Sequence, residues 1–171
     1  MPRVDVLRTF LEMRDPADLR AVPMPAAARV VRRDPCAVHE YLRLYRAVVA
    51  RWHWRDRLAW TEAQLRTHLA SPDVGVWELD VDGASAGFFE LRRDGEGGVE
   101  IAYFGLVPTF FGRGLGASLL TRAVEEAWSI GARRVWLHTC TLDSPHALPN
   151  YRARGFRDFK TERYQTDIEA S

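Results

Sequence analysis

Lysine is almost missing from this chain. Lys160 is the only one, and all other basic side chains that ionise fully are arginines, a bias that by itself carries no functional meaning. Cysteine is nearly as scarce: Cys36 and Cys140 build no disulfide framework and have no zinc-ligand spacing. No apolar run is long enough to span a bilayer, and the opening MPRVDVLRTF is charged and free of a signal pattern, so a cytoplasmic protein is expected. Neither sign of charge dominates. A net charge of +1 removes any general attraction for nucleic acid or an acidic membrane surface. Internal repeats and low-complexity tracts are absent too. What remains is a chain of 171 residues, 47% apolar and 27% charged, which suits a single globular domain over 1–171 with a proper core.

Periodicity and turn chemistry divide this domain. A weakly alternating strand is expected from about Val4 to Met13, a proline-punctuated loop after it, and a short strand at Arg29 to Arg32. From Pro35 to Trp54 the residues Val38, Tyr41, Leu42, Tyr45, Val48, Val49 and Trp52 recur at helical spacing, with Asp34 as cap. A second helix over Thr61 to Leu69 begins with Thr61 and Gln64 in capping-box positions. Val74 to Val81 and Ala86 to Leu91 form a hairpin across Asp82-Gly83, and a turn over Arg92 to Gly98 leads to a strand from Val99 to Val107. The helix that follows places Leu115, Leu119 and Ala123 on one row and Leu120, Val124 and Trp128 on another, and Gly131 ends it. It returns the chain to a strand at Arg133 to Thr141, parallel to Val99–Val107. A short helix at Ser144 to Arg154 and a strand from Phe156 to about Tyr164 finish the domain. The order predicts a mixed α/β sheet of about six or seven strands flanked by helices.

The stretch VEIAYFGLVPTFFGRGLGASLL, from Val99 to Leu120, carries the chemistry. A strand passes into a helix through Gly112, Gly114 and Gly116. Glycines there let the backbone approach a ligand, and the free N–H groups of the first helical turn favour an anion such as phosphate. Walker A is excluded, because Gly116 is followed by Ala117 and Ser118 and not by Lys and Ser or Thr. Gly112, Gly114 and Ala117 fit the dinucleotide pattern G-x-G-x-x-G/A, but the next strand, RRVWLHTCT, ends without the acidic residue that would hold a ribose.

These residues resemble another family. Phe111-Gly112-Arg113-Gly114-Leu115-Gly116 lies on the R/Q-x-x-G-x-G/A loop of the GNAT N-acetyltransferase superfamily, with Phe111 in place of Arg or Gln. Ala147, Tyr151, Gly155 and Phe156 match its later A-x-x-x-Y-x-x-x-G-F segment, and Glu100 falls on the strand where the family often carries a catalytic Glu. The likeness covers about Val76 to Phe159. It implies a GNAT-like, mostly antiparallel sheet whose parallel strand pair splays apart at the cofactor loop, with an acetyl-CoA-binding core over 99–156 and the acceptor side mainly over 30–75. It also implies acetyl-CoA as acetyl donor, no metal, and direct transfer to an amine. Loop residues Gly112, Arg113, Gly114, Gly116 and Ala117 would hold the pyrophosphate. Leu106, Val107 and Asn150 would border the pantetheine arm.

An amine attacking a thioester must lose a proton, and the departing thiolate gains from an acid. By its strand alone Glu100 reads as readily as a glutamate on a solvated face. The resemblance makes it the base, directly or through water, with Glu90 in reserve. Tyr151, otherwise a packing residue, becomes the acid by the same likeness. His138 and His146 read as ordinary histidines, and no Ser or Cys nucleophile is arranged with them. For the acceptor side, the run from Arg51 to Trp60 holds Trp52, Trp54 and Trp60. On a helix Trp52 and Trp54 point about 200° apart, so one must face a cleft or the surface. In the resembled fold this helix end borders the acceptor side, so Trp54, with His53 and Asp56, is expected to line the amine pocket, the alternative being a tryptophan that fills a gap between two helices. The expected partner is a small-molecule amine or peptide amine, and the expected state a monomer or homodimer. The alternative is a non-catalytic acyl-CoA-binding regulatory module, which would need neither Glu100 nor Tyr151.

Overall fold

The computed structural model describes residues 2–49, 52 and 56–168. Its elements are β1 (Arg3–Met13), β2 (Ala28–Arg32), α1 (Val38–Val49), α2 (Glu62–Ala70), β3 (Val74–Val81), β4 (Ala84–Arg93), β5 (Gly98–Leu106), α3 (Leu115–Ser129), β6 (Arg134–Cys140), α4 (Ala147–Ala153) and β7 (Arg157–Asp167). Single helical turns lie at Pro16–Asp18, Asp56–Ala59 and Pro108–Phe110. The strands make one mixed sheet in the order β2-β3-β4-β5-β6-β1-β7.

Local chemistry accounts for most boundaries. Thr61 Oγ1 accepts from Gln64 N (3.1 Å) while Gln64 Oε1 accepts from Thr61 N (2.8 Å), the reciprocal bonds of a capping box that start α2. Asp82 (φ 52°) and Gly83 (φ 83°) turn β3 into β4 with both central residues left-handed, as a two-residue hairpin of matching twist requires. Helix α1 begins at Val38 and not at Pro35, with Tyr41 N donating to Ala37 O (3.0 Å), so Asp34 lies too far upstream to cap it. The expected extension to Trp54 runs onto residues outside those described, beyond the end of α1 at Val49.

The sheet separates two apolar layers. On one face α3 presents Leu115, Leu119, Leu120, Ala123 and Val124, all buried, against Leu11, Met13, Phe89, Val135 and Leu137 from the strands. On the other, Tyr41, Leu44, Tyr45 and Val48 of α1 and Leu65 of α2 cover Val76 and Phe88. The first strand has an unexpected place: β1 lies between β6 and β7, antiparallel to both. Its alternation of buried Thr9, Leu11 and Met13 with half-buried Arg8, Phe10 and Glu12 fits an interior strand with one covered face.

Among the described residues, β5 and β6 form the one parallel pair. They stay together for three registers only, the last being Glu100↔Trp136. Beyond it β6 keeps only β1 and β5 keeps only β4, with a register shift that leaves Ala102 unopposed. The burial of β5 changes at the same point, from buried at Gly98–Ile101 to half-buried from Ala102 onward. No helix of the described residues is long and apolar enough to cross a membrane.

Candidate active site

Where β5 and β6 part, a cleft of about 400 Å³ opens. Phe104, Gly105 and Leu106 of β5 form one wall, the glycine loop another, and Asn150 and Tyr151 of α4 a third. Gly114 is the residue before α3, left-handed at φ 74°, and no side chain caps the helix. The first-turn N–H groups of a fifteen-residue helix are thus left without a side-chain acceptor at the mouth of a cleft, which suits an anion. A Cβ added at Gly112 or Gly114 would meet no atom within 4 Å, so the space beside the loop is open. Open space and unbonded donors together fit a phosphate-bearing arm lying along β5.

Tyr151 lies at the base of this cleft, 7% exposed, its ring edge-on to Phe104 and Phe156. Burial, reinforced by the charge of Asp143, pushes its phenol far above the usual range, so it holds its proton. Asn150 Nδ2 donates to Gly116 O (3.1 Å) and ties α4 to the first turn of α3.

A second cavity, of about 580 Å³, lies on the α1 and α2 side of β5. Glu100 borders it, its side chain 11% exposed and 3.4 Å from Arg92 Nη2. Asp56, Arg57, Trp60, Tyr103 and His138 are also on its walls. Crowding lowers the pKa of His138, chiefly by desolvation, and so favours its neutral form. Asp143 borders both cavities, and it accepts from Thr139 Oγ1 (2.5 Å) and Cys140 N (2.9 Å). The expected base and acid therefore sit on the two sides of the β5–β6 split, one in each cavity.

Of the residues expected at the cofactor, Leu106, Gly112, Gly114, Gly116, Ala117 and Asn150 line the cleft. Val107 does not. Its N–H goes to Ala86 O (2.8 Å) and its side chain packs against the α1 layer. Arg113 lies over the ring of Phe110, 5.2 Å away, and is also absent from the wall. Glu90 is fully buried, reached by Tyr41, Arg57 and His68, and borders neither cavity. Burial alone would raise its pKa, but the bond from His68, the charge of Arg57 and the phenol of Tyr41 outweigh that and hold it ionised. Asp56, expected at the amine pocket, is on the wall of the second cavity, whereas His53 and Trp54 lie outside the described residues. Trp52 borders the first cleft, its ring 6.3 Å from that of Phe111. Sequence reasoning missed Arg57 and Asp143. Neither belongs to a periodic pattern or a motif, and each is brought to the site by a turn.

A loop cradle at the mouth of a splayed strand pair, with a buried tyrosine beneath it, is matched by the sequence itself. Residues 41–156 fit the acetyltransferase (GNAT) family. The chain belongs to that family. No curated protein matches it. Among solved structures, a GCN5-related N-acetyltransferase from Kribbella flavida shares the fold at TM-score 0.68 and 20% identity, covering 95% of this chain and 58% of that one. Another, from Sphaerobacter thermophilus, superposes at TM-score 0.69 with 15% identity over 97% and 52%. An aminoglycoside acetyltransferase from an uncultured soil metagenomic sample, in complex with sisomicin, gives 0.59 and 14% over 75% and 87%. This GNAT chain thus spans between half and three fifths of the length of the first two.

Proposed function

We propose that this protein is an acetyl-CoA-dependent N-acetyltransferase that moves the acetyl group directly to an amine entering from the α1 and α2 side. The observation that carries the reading is the split of β5 from β6 at Glu100, with the glycine cradle and Tyr151 on one side and a polar cavity on the other. Acetyl-CoA supplies the activated acyl thioester. The backbone N–H groups at the start of α3 hold its phosphates, Leu106 and the unpaired edge of β5 guide the pantetheine arm, and Asn150 stiffens the wall through Gly116. Glu100, directly or through a water, removes the proton of the attacking amine. As the new C–N bond forms and the C–S bond breaks, Tyr151 donates its retained proton to the departing thiolate. No group of three metal-binding side chains is placed to hold an ion among the described residues, and the chemistry proposed here uses none.

The test is release of free thiol from acetyl-CoA over a panel of amines that includes peptide N-termini and lysine side chains. Glu100→Gln should lower kcat by about 10²-fold, most at low pH where the amine is hardest to deprotonate, and leave coenzyme A affinity nearly intact. Tyr151→Phe should lower kcat with little change in binding, since only the hydroxyl is lost. Wild-type rates in both variants across pH would remove both roles. Thermal stabilisation by coenzyme A without turnover on any amine would point instead to a ligand-binding regulatory module.

A further inference from the structure

The turn Asp56–Ala59, on the wall of the acceptor-side cavity, is inverted with respect to polarity. Its leucine, Leu58, is 39% exposed, while Arg57 is the turn's one buried residue. An arginine taken from water needs partners for its charge and its planar donors, and these partners come from every neighbouring element. Arg57 Nη2 donates to Glu90 Oε2 on β4 (2.9 Å), and Nε donates to Tyr41 Oη on α1 (3.3 Å). His68 of α2 meets the same Glu90 oxygen (2.9 Å), and Tyr41 donates to the other (2.6 Å). The guanidinium also lies between two rings, 4.1 Å from the centroid of Trp60 and 4.9 Å from that of Tyr103.

This node returns to the cavity by a second route. Tyr103 stands opposite Glu90 in the β4–β5 ladder, and its hydroxyl donates to Asp56 Oδ2 (3.2 Å). Glu90, Arg57, the ring of Tyr103 and Asp56 thus close a ring of contacts. It ties the turn to the two strands that also carry Arg92 and Glu100. Arg57 and Trp60 further border the groove between α1 and α2, and so form the partition between that groove and the cavity.

We infer that Arg57 is a positioning residue of the acceptor site, holding Asp56, Trp60 and Tyr103 in register with Glu100; this rests on reading the cavity as the place where the amine enters. The Nη2 and Nε donors of its guanidinium are taken up by Glu90 and Tyr41. A lysine could satisfy the charge of Glu90 but could neither lie flat against the rings of Trp60 and Tyr103 nor reach Tyr41 and Glu90 from two separate nitrogens of one rigid fork.

The experiment uses the full chain with acetyl-CoA and four probe amines: n-butylamine, spermidine, tyramine and a lysine-containing peptide. Steady-state constants are measured on the fastest of them. Arg57→Lys should raise the acceptor KM by about tenfold and leave the acetyl-CoA KM within about twofold, at nearly unchanged Tm. Tyr103→Phe, which leaves the Glu90 node intact, should move the acceptor KM in the same direction by a smaller factor. It decides the matter if Arg57→Lys fails to fold. Leu58→Ala, on the exposed side of the turn, should change neither constant. An unaltered acceptor KM in the variants, or equal rises in both constants, would overturn the positioning role while leaving the proposed reaction in place. A wild-type protein that turns over none of the probes would remove the reaction and this role together.

Discussion

At the scale of single residues, Gly114 and Gly116 are both expected at the cofactor, yet they differ in what they tolerate. Gly114 sits at φ 74°, where a β-branched side chain is strained by roughly 1–3 kcal/mol, and its missing Cβ faces open space. Gly116 has ordinary helical backbone, and an added Cβ would meet Asn150 Nδ2 at 3.7 Å and Leu106 Cδ1 at 3.9 Å, both normal contacts. Gly114→Val should therefore bend the entry to α3 and weaken coenzyme A binding by tenfold or more in calorimetry, while Gly116→Ala should keep the fold and lose less affinity. Equal affinities in the two variants would separate phosphate binding from this loop. The glycine pattern was legible in the sequence, but the division of labour between its members was not, because φ depends on how strand and helix are docked.

At the scale of elements, the Glu90 node joins β4, α1, α2 and the turn at Asp56, and it makes the attachment of that layer sensitive to acid. Glu90 is held below the usual carboxylate range against the effect of burial, so its folded pKa lies under its unfolded one. Its contribution to stability is complete above the unfolded value and is lost as pH falls through the folded value. Urea midpoints should thus fall below about pH 4, and this part of the acid sensitivity should disappear in Glu90→Gln. That variant should itself be less stable near neutrality by about 3–5 kcal/mol, because Arg57 would be left charged and buried without its counter-ion. A Glu90→Gln protein as stable as wild type, with the same acid limb, would show that the node is incidental. Glu90 could be seen in the sequence as a carboxylate on a strand, but its partners could not. They come from three segments between Tyr41 and His68 that meet only after α1 and α2 dock.

At the scale of the molecule, the place of β1 decides what can be removed. An N-terminal strand at a sheet edge could be trimmed at modest cost. Here β1 separates β6 from β7 and buries Leu11 and Met13 against the α3 layer. Deletion of residues 2–13 would leave β7 without its ladder partner and β6 with only its short pairing to β5, and it should abolish cooperative thermal unfolding by circular dichroism. A truncated chain that still melts cooperatively near the wild-type Tm would require β6 and β7 to pair directly. The alternating pattern of Arg3–Met13 was readable as a strand, but pairing partners lie more than a hundred residues away, and nothing local specifies them.

What the sequence determined by itself was whatever is encoded within a turn or two of chain. The capping box at Thr61 and Gln64, the left-handed hairpin at Asp82-Gly83, the apolar rows of α3 and the glycine run before it all rest on contacts between near neighbours, so type and spacing suffice. The strand order, the parting of β5 from β6 after Glu100, the loss of Val107 to a bond with Ala86 and the inward turn of Arg57 beside an exposed Leu58 were decided only by the tertiary structure. Each depends on which distant surfaces come together, and a buried arginine in particular is stable only where a carboxylate and two rings from other segments happen to close around it.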